Sequence, residues 1–305
     1  MDYHIEKVAS PNANVGEGPV WNSKEKKIYW TDISGGKLYR YDPNKKTNEI
    51  IHDGINIGGF RFNESGGIIL GSWEGIYLWD LGKNYKLLKS GKIDGTQINI
   101  RINDATAGPD GSFYCGTDAS NWSNDVVFRI NPNNSIDVID EGVKLCNGMG
   151  FSPDESTFYS TDSLRKLIYK WDYNKQKKSI TNKIMLGNKK VFINLNDDSI
   201  GIVDGMTVDS EGYIWSAIWF SSKVMRFDPD GKLEREIIFP ATQTSCPMFG
   251  GEDLNELYVS TAFSGTGEAP IGSEPKGYNH KAYRGGDLFK VTLDIQGKLE
   301  YSTKF

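Results

Sequence analysis

The chain repeats itself, and the repeat limits what it can become. Its clearest copy is residues 203–231, VDGMTVDSEGYIWSAIWFSSKVMRFDPDG. An acidic residue on a short strand, Asp204, leads into a turn built from Asp209, Ser210, Glu211 and Gly212. A strand from Tyr213 to Trp219 follows, then a polar gap and a third strand, Lys223 to Asp228. The turn Pro229-Asp230-Gly231 opens a fourth strand, Lys232 to Phe239. Aromatic and β-branched runs of about five to seven residues between Asp/Asn/Ser/Gly/Pro clusters mark short antiparallel strands joined by tight turns.

The same punctuation recurs in EGPVWNSKEKKIYWTDISGGKLYRYDP from Glu17 and GGFRFNESGGIILGSWEGIYLWD from Gly58. It returns in NDATAGPDGSFYCGTD from Asn103, NGMGFSPDESTFYSTDSLRKLIYKWDY from Asn147 and CPMFGGEDLNELYVSTA from Cys246. With Asp204 these make six starts, and a period of about 40–45 residues with four strands per unit is that of a β-propeller blade. The expectation is an all-β, six-bladed β-propeller forming a single domain over residues 1–305. No amphipathic helix longer than about two turns is evident. A β-sandwich would require the spacing to be a coincidence.

Composition removes whole classes of function. A formal net charge of −5 and a pI of about 5.4 leave no basic field to attract phosphate backbones. No run approaches the ~18 apolar residues of a membrane-crossing helix. The opening MDYHIEKVAS carries charge and no apolar stretch, so no secretory signal is expected. Cys115, Cys146 and Cys246 form neither an even framework nor a CxxC pair, which predicts a reduced, cytoplasmic setting. A closed ring has no edge demanding a partner, so a monomer is expected. His4, His52 and His280 offer no pair at metal-ligand spacing, and there is no nucleophile elbow or phosphate-cradling loop. Any chemistry must rest on oxygen ligands and carboxylates.

The first strand of each blade lines the central channel. Counting five residues back from the turn gives Glu17, Gly58, Asn103, Asn147, Asp204 and Cys246. Two carboxylates and two amides therefore gather from four blades. Buried carboxylates need a cation or proton to compensate them, and such oxygens suit Ca²⁺, Mg²⁺ or Mn²⁺. Asn and Asp also simply begin turns, and the residues alone leave both readings open. QINIRIND places Arg101 and Asn103 at alternate strand positions, suited to a small ligand's oxygens or, for the arginine, to a salt bridge. Asp32 and Asp162 occupy a repeated blade position and read as structural, with a supporting role at the site open for Asp162. Trp73 and Glu74 sit in a loop near the channel mouth. GTDASNWSND sets Asp118, Asn121 and Trp122 in another loop. Residues 183–202 read as a strand plus an outer loop, and 263–284 as the longest irregular segment.

These motifs resemble a known family. EGPVW with YWTDI, RIND, NGMGFSPDE, DGMTVDSEGYIWSA and TSCPMFGGEDLNELYVSTA occur in the order and at the spacing of the gluconolactonase, regucalcin (senescence marker protein) and luciferin-regenerating-enzyme-like family. The likeness spans almost the whole chain. It implies a six-bladed propeller binding one divalent metal ion (Ca²⁺, Mg²⁺, Mn²⁺, Zn²⁺ or Fe²⁺) and hydrolysing a sugar lactone to the aldonic acid. It implies Glu17, Asn147 and Asp204 as metal ligands and Arg101 and Asn103 as substrate contacts; in the mechanism expected from it, Asp204 or a metal-bound hydroxide takes the water's proton. An acidic substrate contact found in some members has no plain counterpart here, and Asp118 or Asn121 would have to replace it. Two rivals stand beside this expectation. One is a non-catalytic metal-binding propeller; the other is an esterase or phosphotriesterase, which would want a channel histidine.

Overall fold

The computed structural model describes residues 3–93, 96–118, 124–174, 179–180, 189–263 and 274–305. The chain opens with a short strand, β1 (Glu6–Ala9). The first blade is β2 (Gly16–Asn22), β3 (Lys27–Asp32), β4 (Lys37–Asp42) and β5 (Thr47–Asp53). The second is β6 (Ile57–Phe62), β7 (Ile68–Ser72), β8 (Ile76–Trp79) and β9 (Tyr85–Lys89), and the third is β10 (Ile102–Ala107), β11 (Phe113–Thr117), β12 (Asp125–Ile130) and β13 (Ile136–Val143). The fourth comprises β14 (Cys146–Phe151), β15 (Thr157–Asp162), β16 (Leu167–Asn174), β17 (Ser179–Ile180) and β18 (Lys190–Asn194). The fifth is β19 (Ile202–Val208), β20 (Ile214–Trp219), β21 (Lys223–Phe227) and β22 (Leu233–Ile238); β23 (Thr244–Gly250), β24 (Glu256–Thr261) and β25 (Leu288–Thr292) belong to the sixth.

Strands pair antiparallel, in chain order except where β18 pairs with β16 and β1 with β25, giving six sheets. The innermost strands β2, β6, β10, β14, β19 and β23 pack each on the next, and β23 returns to β2. That ring is the six-bladed β-propeller expected from the repeat. The longer interval ahead of Asp204 contains β18, which pairs with β16 as blade four's outer strand. Apolar side chains fill the wedges between blades. Tyr114 of β11, for example, meets Phe151 and Phe158 of the next blade at ring distances of 5.1 and 5.3 Å.

Two closures carry no repeat signature. β1 pairs with β25, so the first strand of the chain completes the last blade. The C-terminal segment then crosses the turns at the far end of the channel. Ser210 donates to the Gln296 carbonyl and Gly297 to that of Leu254, while Thr303 donates to Phe62 and Lys304 to Gly111. One extended segment thereby ties blades five, six, two and three.

The turn acids that mark the repeat are structural anchors. Asp209, fully buried, accepts from the backbone of Glu211 (3.0 Å) and Tyr213 (2.9 Å), from Trp215 Nε1 (2.9 Å) and from Arg226 Nε and Nη2 (2.9 and 2.7 Å). Asp110 and Arg129 repeat this pairing in blade three at 3.0 Å. Removing Asp209 leaves the buried Arg226 guanidinium only the more exposed carboxylates of Glu211 and Glu234, and leaves Trp215 Nε1 and two backbone N–H groups without their acceptor. Asp209→Ala should therefore lower unfolding stability by roughly 3–5 kcal/mol, read from urea denaturation, whereas substituting exposed Glu211 should have a much smaller effect.

Asp104 is a different kind of buried acid. It accepts from the Ala105 N–H (2.6 Å), and burial raises its pKa to about 6 against the opposing positive charge of Arg61. A carboxyl held protonated more tightly in the folded chain stabilises it below the unfolded pKa of about 3.9, and that contribution is lost as pH rises through about 6. In metal-free protein, Asp104→Asn should remove this loss. Urea titrations should find the variant more stable than the parent by about 3 kcal/mol at pH 7.5, with the difference vanishing near pH 3.5.

Candidate functional site

In every blade the pairing of the innermost strand with its neighbour slips by one residue near the start of that innermost strand. Such bulges re-aim side chains and end regular pairing. Glu17 and Asn147 are the last paired residues before the slip, whereas Asn103 and Asp204 lie within it. Glycines accompany the slip because neighbouring backbones approach closely there. A Cβ at Gly148 would come within 2.7 Å of the Asp204 carbonyl oxygen. Blade six departs from the count made back from the turn. The ladder places Ser245 in its slip, and Ser245 Oγ donates to the Gly16 carbonyl (2.5 Å). Cys246 instead packs against Gly205, because the hydrogen-bond register, not distance from the turn, sets which side chain projects.

The four projecting polar groups meet. Glu17, Asn103, Asn147 and Asp204 line one cavity of about 30 Å³, walled by Val15, Ile33, Leu145, Ile202 and Trp219. Glu17, Asn147 and Asp204 are 7%, 5% and 4% exposed. Glu17 accepts from the Gly18 N–H (2.8 Å) and Asn147 Oδ1 from the Gly148 N–H (3.0 Å). Asn147 Nδ2 donates to Asp204 Oδ1, and Asn103 Nδ2 donates to the Cys146 carbonyl (2.8 Å). The local field is negative. The Cys246 thiol is pushed well above its usual range by burial, then by the charges of Glu17, Asp104 and Asp204, against Arg61.

Arg101 stands outside this cavity. Its guanidinium lies over the Trp73 ring, 3.7 Å from Cζ to the centroid, and its Nε donates to Asp118 Oδ2 (3.3 Å). Asn121 and Trp122 lie outside the described residues, as do residues 264–273 of the long irregular segment. The described part of that segment reaches the apolar collar of the cavity. Tyr278 meets Phe220 at 5.0 Å between rings and its hydroxyl bonds Thr242 Oγ1 (2.9 Å). Asp32 and Asp162 are structural, accepting backbone N–H groups of Val15 and Gly35, and of Lys144 and Arg165. Glu74 lines no part of the cavity, and neither do His4, His52 or His280. The apolar wall was not singled out from the sequence, although Val15 and Leu145 each stand two residues before a polar cavity position.

Among the described residues no three His, Cys, Asp or Glu side chains cluster to hold a metal. A cation here would need the Asn147 amide as its third donor. The chemistry of the donors fits: two carboxylates and an amide carbonyl are hard oxygens suited to a divalent ion. The amide now turns its nitrogen toward Asp204, and presenting the oxygen to a cation requires turning it over and giving up the Gly148 N–H bond to Oδ1. A volume of about 30 Å³ accommodates an ion or one or two waters, and nothing as large as a sugar.

Residues 15–263 match the family described as SMP-30/Gluconolactonase/LRE-like region. The chain is 30% identical over 300 residues to pentonolactonase XacC of Haloferax volcanii, covering 97% of both chains. It is 31% identical over 305 residues to regucalcin of Xenopus laevis, covering 96% of both. Its fold matches that of a luciferin-regenerating enzyme with a TM-score of 0.86 at 20% identity, over the full length of each chain. A full propeller with acids and amides gathered at one channel mouth, together with these matches, places the chain in the SMP-30/gluconolactonase/LRE-like family.

Proposed function

We propose that this protein hydrolyses a sugar lactone to the corresponding aldonic acid, with one divalent cation held by Glu17, Asn147 and Asp204. The observation that carries the reading is the convergence of these three oxygen-bearing side chains with Asn103 on one small buried cavity. The match to a pentonolactonase along nearly the whole chain supports the substrate class. When bound, the cation supplies Lewis-acid polarisation of the lactone carbonyl.

The remaining roles follow from this chain's own groups. Asp204 is the carboxylate positioned to take the proton of the attacking water as the water oxygen bonds to the carbonyl carbon. Cleavage of the ring C–O bond then returns a proton to the departing ring oxygen. Asn103 spends its Nδ2 on the Cys146 carbonyl, which leaves its Oδ1 to accept a sugar hydroxyl. Val15, Ile33, Leu145, Ile202 and Trp219 keep the reacting end dry, which strengthens each electrostatic contact inside. The sugar body is too large for the cavity and must lie outward, where Arg101 stands. Orientation of the substrate is thus the work of Arg101 and Asn103. A cytoplasmic setting belongs to the same reading, since all three cysteines are free and buried.

Proton release from a panel of aldonolactones tests the activity and the ion together. Metal-stripped protein should be inactive, and one or more of Ca²⁺, Mg²⁺, Mn²⁺, Zn²⁺ and Fe²⁺ should restore turnover, with pentonolactones tried first beside gluconolactone and galactonolactone. Metal binding without turnover on any lactone would favour a non-catalytic propeller. Within the active system, Asp204→Ala should abolish turnover, a loss of at least about 100-fold in kcat. Arg101→Ala should mainly raise KM, by about tenfold or more. Near-normal hydrolysis by metal-loaded Asp204→Ala protein would sink the mechanism.

A further inference from the structure

Arg101 is held with more care than a surface arginine needs. Its backbone carbonyl accepts from the Asp118 N–H (2.9 Å), and its Nε donates to the Asp118 carboxylate (3.3 Å). One face of the guanidinium lies on Trp73, with Cζ 3.7 Å from the ring centroid. Neither Nη atom has a hydrogen-bond partner among the described residues. The side chain is 29% exposed and so only partly covered.

Trp73 comes from a different blade, and its loop is fixed. Its N–H donates to the Asn56 carbonyl (3.1 Å), while Ser72 Oγ accepts from the Glu74 and Gly75 N–H groups (3.1 and 3.2 Å). The indole also packs on the apolar collar of Val15, Ile33, Ile202, Trp219, Phe220 and Ala262, which shares four residues with the cavity wall. The platform is therefore referenced to the same wall that surrounds Glu17 and Asp204.

We propose that Trp73 is a positioning residue that presents the two Nη groups of Arg101 as one fork, selecting lactones with two adjacent oxygens on the sugar body. The inference rests on the lactonase reading and specifies its substrate recognition. A planar guanidinium held on one face and at Nε has only its terminal edge left, and that edge matches paired oxygens in a way a lysine ammonium cannot. The ring face of Trp73 is covered by the arginine, so the indole is not available to stack against a sugar's C–H face. Recognition is polar, through vicinal hydroxyls.

The test compares wild type, Trp73→Phe and Trp73→Ala on a hydroxylated aldonolactone and on δ-valerolactone, which has no hydroxyl groups. Trp73→Ala should raise KM for the aldonolactone about tenfold with kcat changed less than about twofold, and Trp73→Phe should recover most of the loss. KM for δ-valerolactone should be the same in all three proteins. Equal losses on both lactones, or an unchanged KM for the aldonolactone, would overturn the proposal. Should wild type turn over neither lactone, the lactonase reading fails, and calorimetric titration with the aldonate judges the platform separately. Binding about tenfold weaker in Trp73→Ala then supports it; equal affinity, or no binding by wild type, overturns it.

Discussion

Close backbone packing of six inner strands around one axis governs this molecule. Each of these strands has its sheet on one side and the neighbouring blades on the other, so near the axis there is room for little beyond main chain. Glycine answers that constraint at Gly58, where an added Cβ would fall 1.9 Å from the Ile102 carbonyl oxygen, and at Gly148 and Gly205. The slip in pairing answers it as well. One extra residue per inner strand lets a side chain leave the crowded ladder, and the nearest free volume is the small cavity at the channel mouth.

The site's electrostatics follow from that geometry. Glu17 and Asp204 cannot move apart, because each is fixed by the strand that carries it and both are nearly inaccessible to water. Two carboxylates confined in this way raise the cost of the empty site and favour a small hard cation. On the proposed reading the neutral amide of Asn147 would complete the oxygen set without adding charge. Arg101 is kept outside by its stacking on Trp73, so no arginine competes with a cation for the carboxylates. On the proposed lactonase reading, the small pocket activates a carbonyl and the outer arginine grips a polyhydroxylated body.

Stability is supplied elsewhere. The anchors Asp209–Arg226 and Asp110–Arg129 lie at the opposite ends of the inner strands, where the C-terminal segment crosses the turns. Negative charge at the mouth is thus separated from the contacts that hold blades together. The same separation leaves mouth loops such as the one carrying Trp73 open to change in substrate choice without loss of the ring.

By itself the sequence determined the blade count, the strand order and the candidates Glu17, Asn103, Asn147 and Asp204. Turn chemistry and period-two strands are local properties, and a repeat writes them six times, so an irregular copy is corrected by its neighbours. Alternation along QINIRIND put Arg101 and Asn103 on one face, and the structure sends them to different surroundings because a bulge interrupts the alternation between them and Trp73 captures the arginine. Only the tertiary structure decided that β1 completes the last blade, that the C-terminal segment spans the turns, that Ser245 and not Cys246 occupies the sixth slip, and that an apolar wall from separate blades encloses the acids. Each of these joins residues far apart in the chain through packing or hydrogen-bond register, which no local pattern encodes.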